Sequence, residues 1–454
     1  MKGADVVVIG GGPAGYTTAL IASHLYPDKK IVLIRREEKV LIPCAIPYLF
    51  SSIKSIDQNI LPDKPLIEAG VEILIDEVKS VNTSNRIVKT AGGEEIEYAR
   101  LILATGSYPV RLKLRNDDLE NVFYIVKRYE YIKSMVDAVR EADKVVIVGG
   151  GFTGVEMADD IVKLGKDVTV VEALPHCLAK DFDPEFCSIV EAELRKEGVK
   201  VLTGSLVSEI EGNKKVEGVK LSNGTTIPAD VVIISVGVRP NTDLAKAMGL
   251  RIGTLGGIET DWCRRTSDPS VFAVGDCAER PDFITGKPSL ARLASVATND
   301  ARLAALNLFS IKAPYRPSFP VGAFITKIGS VTLGCVGFTE NKAKNEKIDY
   351  VVGVAEAVNR HPSVLEGAKV IKLKILVSRF SREIIGAQVA GPPTVGEFLN
   401  LLSVLIQHKT KLEDLITLQI ATHPWLTPSP VAYPLHKAAL SIYQKLQYFS
   451  DNIK

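Results

Sequence analysis

The sequence predicts an α/β protein made of two doubly wound units of like build, followed by a separate α+β domain. Three observations predict this. A short Val- and Ile-rich strand runs straight into a glycine turn and a helix at the N-terminus, and the same order recurs near the middle of the chain. Further apolar runs, each ending near a glycine, lie between and after the repeats and return to extend two sheets. Beyond Asn307 the prolines Pro314, Pro317 and Pro320 mark a linker, after which alternating apolar and polar residues suggest an antiparallel sheet.

In the first unit, residues 5–9 form the strand, Gly10-Gly11-Gly12-Pro13-Ala14-Gly15 the turn, 16–24 the helix and 31–34 the next strand, with Pro27 closing the helix. In the second, residues 144–148 form the strand, Gly149-Gly150-Gly151-Phe152-Thr153-Gly154 the turn and 155–164 the helix. Residues 168–171 then form a strand that ends in Glu172. Residues 101–104, 231–236 and 271–274 read as strands returning to the two sheets, and 369–377 and 384–389 as strands of the last domain. The boundaries that follow are 1–113 with 245–318 for a first, discontinuous domain, 114–244 for the second and 319–454 for the third.

A length of 454 residues is ample for several cores, and 46% apolar with 24% charged residues is ordinary globular composition. No apolar run approaches the roughly 18 to 20 residues that a spanning helix needs, so no membrane association is expected. The N-terminus enters a strand without a basic and apolar leader, which makes the cytoplasm the expected location. A formal charge of +2 with no basic stripe argues against nucleic acid. The six cysteines, Cys44, Cys177, Cys187, Cys263, Cys277 and Cys335, show no CxxC pair, and the six histidines no HxxxH spacing. Neither a disulfide framework nor a metal site is expected.

Each turn has the GxGxxG form of a Rossmann-like unit. Its first glycine allows the tight turn, its second lets a pyrophosphate approach and its third packs helix on strand, with the anion on the helix N-terminus. One such turn alone would be weak support, but two in strand–turn–helix context point to two bound dinucleotides. The candidate contacts are Gly10, Gly12, Pro13, Ala14 and Gly15 in the first, and Gly149, Gly151, Phe152, Thr153 and Gly154 in the second. Glu172 lies 18 residues past Gly154, where an acid bonds an adenosine ribose, and favours NADH with NADPH as the alternative. The matching stretch of the first unit reads Arg35-Arg36-Glu37-Glu38, so the acid there is displaced or replaced by arginine. Which residue meets that ribose stays open.

Leu103-Ala104-Thr105-Gly106-Ser107, Val236-Gly237-Val238-Arg239-Pro240-Asn241 and Val274-Gly275-Asp276-Cys277-Ala278 follow in order. With the two turns they resemble the pyridine nucleotide–disulfide oxidoreductases over essentially the whole chain. That resemblance implies FAD in the first unit, NADH in the second and a C-terminal dimerisation domain, hence a homodimer. It also implies that Ala104, Thr105, Gly106, Gly237, Gly275 and Asp276 serve cofactor binding, Asp276 toward the FAD ribityl chain.

Leu41-Ile42-Pro43-Cys44-Ala45-Ile46-Pro47-Tyr48 resembles the branch with one cysteine beside the flavin: coenzyme A-disulfide reductases, NADH oxidases, NADH peroxidases and NAD(P)H-dependent sulfur or persulfide reductases. The implied reaction passes hydride from NADH to FAD and on to Cys44 and a small disulfide or persulfide, or to oxygen. Cys44 is expected to start a helix, with Pro47 in its first turn and its thiol pKa lowered by the helix N-terminus. Pro13 stands where the peroxidases carry a histidine, which argues against peroxidase chemistry. The segment 361–367 lacks the tyrosine of the coenzyme A-disulfide reductases, which argues against coenzyme A specificity. Ala421-Thr422-His423-Pro424-Trp425-Leu426 is similar to the His-Pro segment of the two-cysteine enzymes. There the histidine is the acid–base group; here Pro428 replaces its orienting glutamate, and a structural histidine is the competing reading of His423. Two further readings are a reductase of a small redox protein such as rubredoxin, with Cys44 incidental, and a nucleotide-binding flavoprotein that acts as a redox sensor or complex subunit.

Overall fold

The computed structural model describes residues 2–310 and 320–451. Pro314, Pro317 and the boundary expected at 318/319 lie outside the described residues. The chain divides into two compact units: Met1–Asp143 with Gly212–Glu217 and Asp230–Pro320, and Lys144–Glu211 with Gly218–Ala229 and Val321–Lys454.

The first unit is built on the strand Lys2–Ile9, whose Val6, Val7 and Val8 are fully buried. β-Branched side chains suit a strand covered on both faces. It pairs in parallel with Ile31–Arg35 on one side and Glu95–Leu103 on the other, and Val271–Ala273 extends the sheet beyond the latter. Ile9 stands opposite both Ile34 and Leu103, and Leu103 opposite Ala273, so the carboxyl ends of four strands lie in register. In an open parallel sheet, ligands bind outside that edge. The N-terminal half of Glu95–Leu103 instead meets an antiparallel hairpin, Val78–Asn82 with Ile87–Thr90.

The helix Pro13–Leu25 starts earlier than the sequence pattern suggested, right after Gly12, because Pro13 is suited to the first helical position, where its missing N–H costs nothing. Its buried Ala14, Ala19 and Ala22 share a core with Ala297 and Ala304 of the helix Ala294–Leu306. Small side chains let these two helices approach closely.

In the second unit, Lys144–Val148 pairs in parallel with Asp167–Val171, which pairs in turn with Lys200–Leu202. The helix Phe152–Val162 follows the second glycine turn. The C-terminal part adds a five-stranded antiparallel sheet in the order Ala323–Ile328, Val331–Gly337, Ile384–Gly391, Val370–Ser378, Tyr350–Val358. Within this unit the antiparallel sheet is tied to the helices Pro184–Lys196 and Glu340–Asn345 by the buried Lys374, whose Nζ meets Asp183 at 2.8 Å, Glu185 at 2.6 Å and Glu340 at 2.5 Å. Gln388 donates to Asp183 at 2.6 Å. Burial opposes both charges, but the hydrogen bonds prevail, holding Lys374 above its usual pKa and Asp183 below. These carboxylates are close enough together for a cation, and the ammonium of Lys374 supplies it.

Among the described residues no helix is long and apolar enough to cross a membrane.

Candidate active site

Gly10 continues the sheet by donating its N–H to Ile34 O at 2.8 Å, then turns with φ +112°. A Cβ there would lie 2.2 Å from Ala104 O, and one on Gly15 would lie 1.9 Å from Gly10 O. The turn, the helix and the segment at Ala104 therefore press together with no side chain between them. Gly12 faces open space, and no side chain caps the helix that begins after it. That leaves the first-turn N–H groups of Ala14 and Gly15 for an external acceptor, a cradle that fits a dinucleotide pyrophosphate beside Pro13, which has no N–H to give.

Two segments close on this turn. Ala104 donates its N–H to Ile9 O at 2.8 Å. Thr105 Oγ1 donates to Asn241 O at 2.7 Å, Asn241 Nδ2 to Thr105 O at 3.2 Å and Asn241 N–H to Gly106 O at 2.9 Å. Gly237 O accepts from Val110 N–H at 3.0 Å, beside the short antiparallel pair Ser107–Pro109 and Val238–Pro240. Val274 N–H donates to Leu103 O at 3.0 Å, which carries Gly275 and Asp276 to the same sheet edge. Asp276 accepts from Ser107 Oγ at 2.8 Å and Lys127 Nζ at 3.3 Å, which orients its carboxylate.

Cys44 sits in a six-residue 3₁₀ helix, Pro43–Tyr48, and not at the start of an α-helix. Pro47, inside the segment, has no N–H for the carbonyl four residues back, which disfavours an α-helix here. The segment is anchored instead by Ile42 N–H donating to Asn59 O at 3.0 Å and Asn59 Nδ2 to Ile42 O at 3.2 Å. Cys44 is exposed, whereas the other five cysteines are buried. Burial pushes the Cys177 and Cys187 thiols up to about 12 and Cys263 to about 11, and raises Cys277 and Cys335 as well. Those five are poor nucleophiles.

In the second unit the turn repeats: Gly149 N–H donates to Val171 O at 2.8 Å, and a Cβ on Gly154 would lie 2.0 Å from Gly149 O. Gly151 is open and the helix after it uncapped, so Phe152 and Thr153 begin a second cradle. Glu172 accepts from Gly150 N–H at 2.6 Å and Leu174 N–H at 2.7 Å, a carboxylate fixed at the strand end. The Phe152 ring stacks on Phe324 at 5.4 Å and tilts against Phe182 at 6.0 Å. One turn on, Glu156 accepts from Thr326 Oγ1 at 2.8 Å. Burial pushes its carboxyl up to about 7, the Thr326 bond pulling the other way.

His423 also belongs to the second unit and is exposed. Its Nδ1 accepts from Trp425 N–H at 3.3 Å, and its own N–H donates to Thr427 Oγ1 at 2.9 Å. A backbone donor thus fixes the ring in place of the missing glutamate, and the neutral imidazole carries its proton on Nε2. The neighbouring segment supports it: His361 N–H donates to Pro424 O at 2.9 Å, and the Arg360 guanidinium lies 5.5 Å from the Trp425 ring centre.

Residues 4–300 match the pyridine nucleotide-disulphide oxidoreductase family, and 324–432 match its dimerisation domain. The chain belongs to that family. With membership come FAD and NAD(P)H as cofactors and oxidoreduction as the class of reaction. An NADH oxidase of Methanocaldococcus jannaschii is 34% identical over 451 residues, covering 97% of this chain and 99% of that protein. An NAD(P)H coenzyme A polysulfide/persulfide reductase of Pyrococcus horikoshii is 32% identical over 399 residues, covering 85% and 87%. Among solved structures, an NAD-dependent persulfide reductase from A. fulgidus superposes with a TM-score of 0.91 at 29% identity, covering 98% of this chain and 84% of that one.

Sequence reasoning missed several groups at this oxidoreductase's first site. Arg264, Asp300 and Arg280 form a fully buried triad, with Asp300 accepting from Arg264 Nε at 2.6 Å and from Arg280 Nη2 at 2.6 Å. Asp300 also accepts from Gly275 N–H at 3.1 Å, and Arg280 Nη2 donates to Gly275 O at 3.1 Å. Both backbone groups of the residue before Asp276 are thereby held. An aspartate inside an apolar helix pattern was the available signal, since buried acids need partners.

Proposed function

We propose that the protein is an NADH-dependent flavin oxidoreductase in which Cys44 is the redox thiol and a small disulfide or persulfide is the acceptor, with oxygen as a second acceptor. The observation that carries this is the exposed Cys44, alone among six cysteines in avoiding a buried thiol and set in an anchored turn of the FAD-binding unit. FAD and NADH, when bound, supply the two electrons as hydride chemistry. The chain supplies the rest. The Cys44 thiolate attacks one sulfur of the acceptor, the S–S bond breaks and one thiol leaves, and a two-electron reduction of the mixed disulfide restores the thiolate and frees the second.

Gly10, Gly12, Pro13, Ala14, Gly15, Ala104, Thr105, Gly106, Gly275 and Asp276 bind FAD in this reading. Gly149, Gly151, Phe152, Thr153, Gly154 and Glu172 serve the nicotinamide nucleotide, and Gly237 serves cofactor binding within the first unit. Glu172 selects NADH because a fixed carboxylate accepts ribose hydroxyls and repels a 2′-phosphate. His423 donates a proton from Nε2 to the leaving thiol, in the site of a second copy of this chain in a cytoplasmic homodimer. The domains run 1–113 with 245–318, 114–244 and 319–454. Support for the acceptor comes from relatives named for persulfide reduction and for NADH oxidation alike.

The test is an anaerobic NADH titration of wild type and Cys44→Ser, followed by visible spectrum. With Cys44 first oxidised to a mixed disulfide by a small disulfide acceptor, wild type is expected to consume about two more electrons per chain than the variant treated alike. Identical titrations would leave FAD as the sole redox group and favour oxygen or a protein such as rubredoxin as acceptor.

A further inference from the structure

The two glycine turns are alike in backbone and opposite in charge. Gly10 donates to Ile34 O and Gly149 to Val171 O, both at 2.8 Å, so the residues that follow, Arg35 and Glu172, hold equivalent places at the strand ends. Both side chains run under the middle glycine of their turn. A Cβ on Gly11 would lie 2.6 Å from Arg35 Cδ, and one on Gly150 would lie 3.1 Å from Glu172 Cβ. Where the second unit offers a carboxylate, the first offers a guanidinium.

That guanidinium is held rigidly and is incomplete. Arg35 is 4% exposed. Its Nη1 and Nη2 donate to the two carboxylate oxygens of Asp63, each at 2.6 Å, and Nη2 also to Glu38 O at 2.9 Å. Its Nε is buried without a hydrogen-bond partner among the described residues. A buried charged donor left unpaired is costly, so an acceptor delivered to this spot would be strongly favoured. Nε is bonded to the carbon that lies beneath Gly11, which puts it at the edge of the glycine turn.

We propose that Arg35 is the residue that recognises the adenosine ribose of FAD, its Nε–H donating to a ribose hydroxyl oxygen, with Asp63 as the positioning residue. This rests on reading the first turn as the FAD site. A ribose hydroxyl both donates and accepts, so it can meet a cation as readily as an acid. The hydrogen bond runs in the opposite sense to that at Glu172. Asp63 occupies both terminal nitrogens and so aims the remaining donor.

The experiment measures binding of FAD and of its adenosine 2′-deoxy and 3′-deoxy analogues to full-length apoprotein by quenching of flavin fluorescence, for wild type and Arg35→Lys. Lysine keeps the charge beside Asp63 and removes Nε. Loss of one of the two hydroxyls is expected to weaken wild-type binding about ten-fold and the variant's by no more than about two-fold. The proposal is overturned if both analogues bind wild type as FAD does, or if the loss is equal in the variant. Should Arg35→Lys not fold, Asp63→Asn is read the same way: discrimination is expected to fall, and its full retention overturns the role given to the pair. Wild-type apoprotein that takes up no FAD would overturn the FAD reading itself.

Discussion

Asp300 is the residue whose change should cost the first unit most. It is fully buried and accepts four hydrogen bonds: Arg264 Nε at 2.6 Å, Arg280 Nη2 at 2.6 Å and Nε at 3.2 Å, and Gly275 N–H at 3.1 Å. Asn in its place has one acceptor oxygen, and its NH₂ must face a guanidinium or the Gly275 N–H. Two buried cations then share a neutral partner. Removing one member of a buried charged set costs about 3–5 kcal/mol, which for a domain of this size lowers Tm by about 6–20 °C. Thermal unfolding of the FAD-loaded protein measures this, with released flavin fluorescence reporting on the site. Release is expected to precede global unfolding, because Gly275 and Asp276 lose their support first. The apolar triple variant Arg264→Met, Asp300→Leu, Arg280→Met separates stability from positioning: with no buried charge left, Tm should largely recover while FAD retention stays impaired. An Asp300→Asn protein within about 1 kcal/mol of wild type, holding FAD as well, would refute the reasoning.

Two further outcomes follow from the second unit. Burial raises the Glu156 carboxyl to about 7 from its ordinary 4.5, so the native state binds the extra proton between those values and stability falls as pH rises through that window, by about 3 kcal/mol at most. Glu156→Gln keeps an acceptor for Thr326 and should gain on wild type between pH 5 and 8 in denaturant unfolding; parallel curves would count against it. Glu172→Ala removes the acceptor of Gly150 and Leu174 N–H and the charge that faces a 2′-phosphate, so the NADH to NADPH ratio of kcat/KM should fall at least about ten-fold, and an unchanged ratio would remove Glu172 from nucleotide choice.

What could be read in the sequence was local. Strand, glycine turn and helix are contiguous, and both turns stand where the pattern put them, as does the Glu172 carboxylate. The helix expected to start at Cys44 is present as a short 3₁₀ turn, Pro43–Tyr48, because proline at the first helical position suits either kind and Pro47 inside the segment keeps it short. The antiparallel pairing of Val216–Leu221 with Thr226–Pro228 had no distinctive period and went unseen. The Arg35–Asp63 and Arg264–Asp300–Arg280 groups join residues that are 20 to 36 positions apart. Nothing in local spacing selects such partners, whereas burial makes them obligatory.

The same reasoning explains why the cofactors were easier to locate than the acceptor. A dinucleotide is bound largely by backbone N–H groups and by close approach, and both demand glycine at fixed offsets, which any reader of the chain can find. At the two strand ends the side chains differ, Arg35 bonded to Asp63 in one and Glu172 bonded to Gly150 N–H in the other, and the proposed ribose contacts rest on that difference. The proposed redox thiol, Cys44, is by contrast a single exposed side chain with no glycine pattern around it. Exposed residues answer to fewer packing constraints than buried ones, so their identities follow the fold less closely. Choosing between a persulfide and oxygen therefore turns on whether Cys44 takes electrons, and a single Cys44→Ser titration measures that directly.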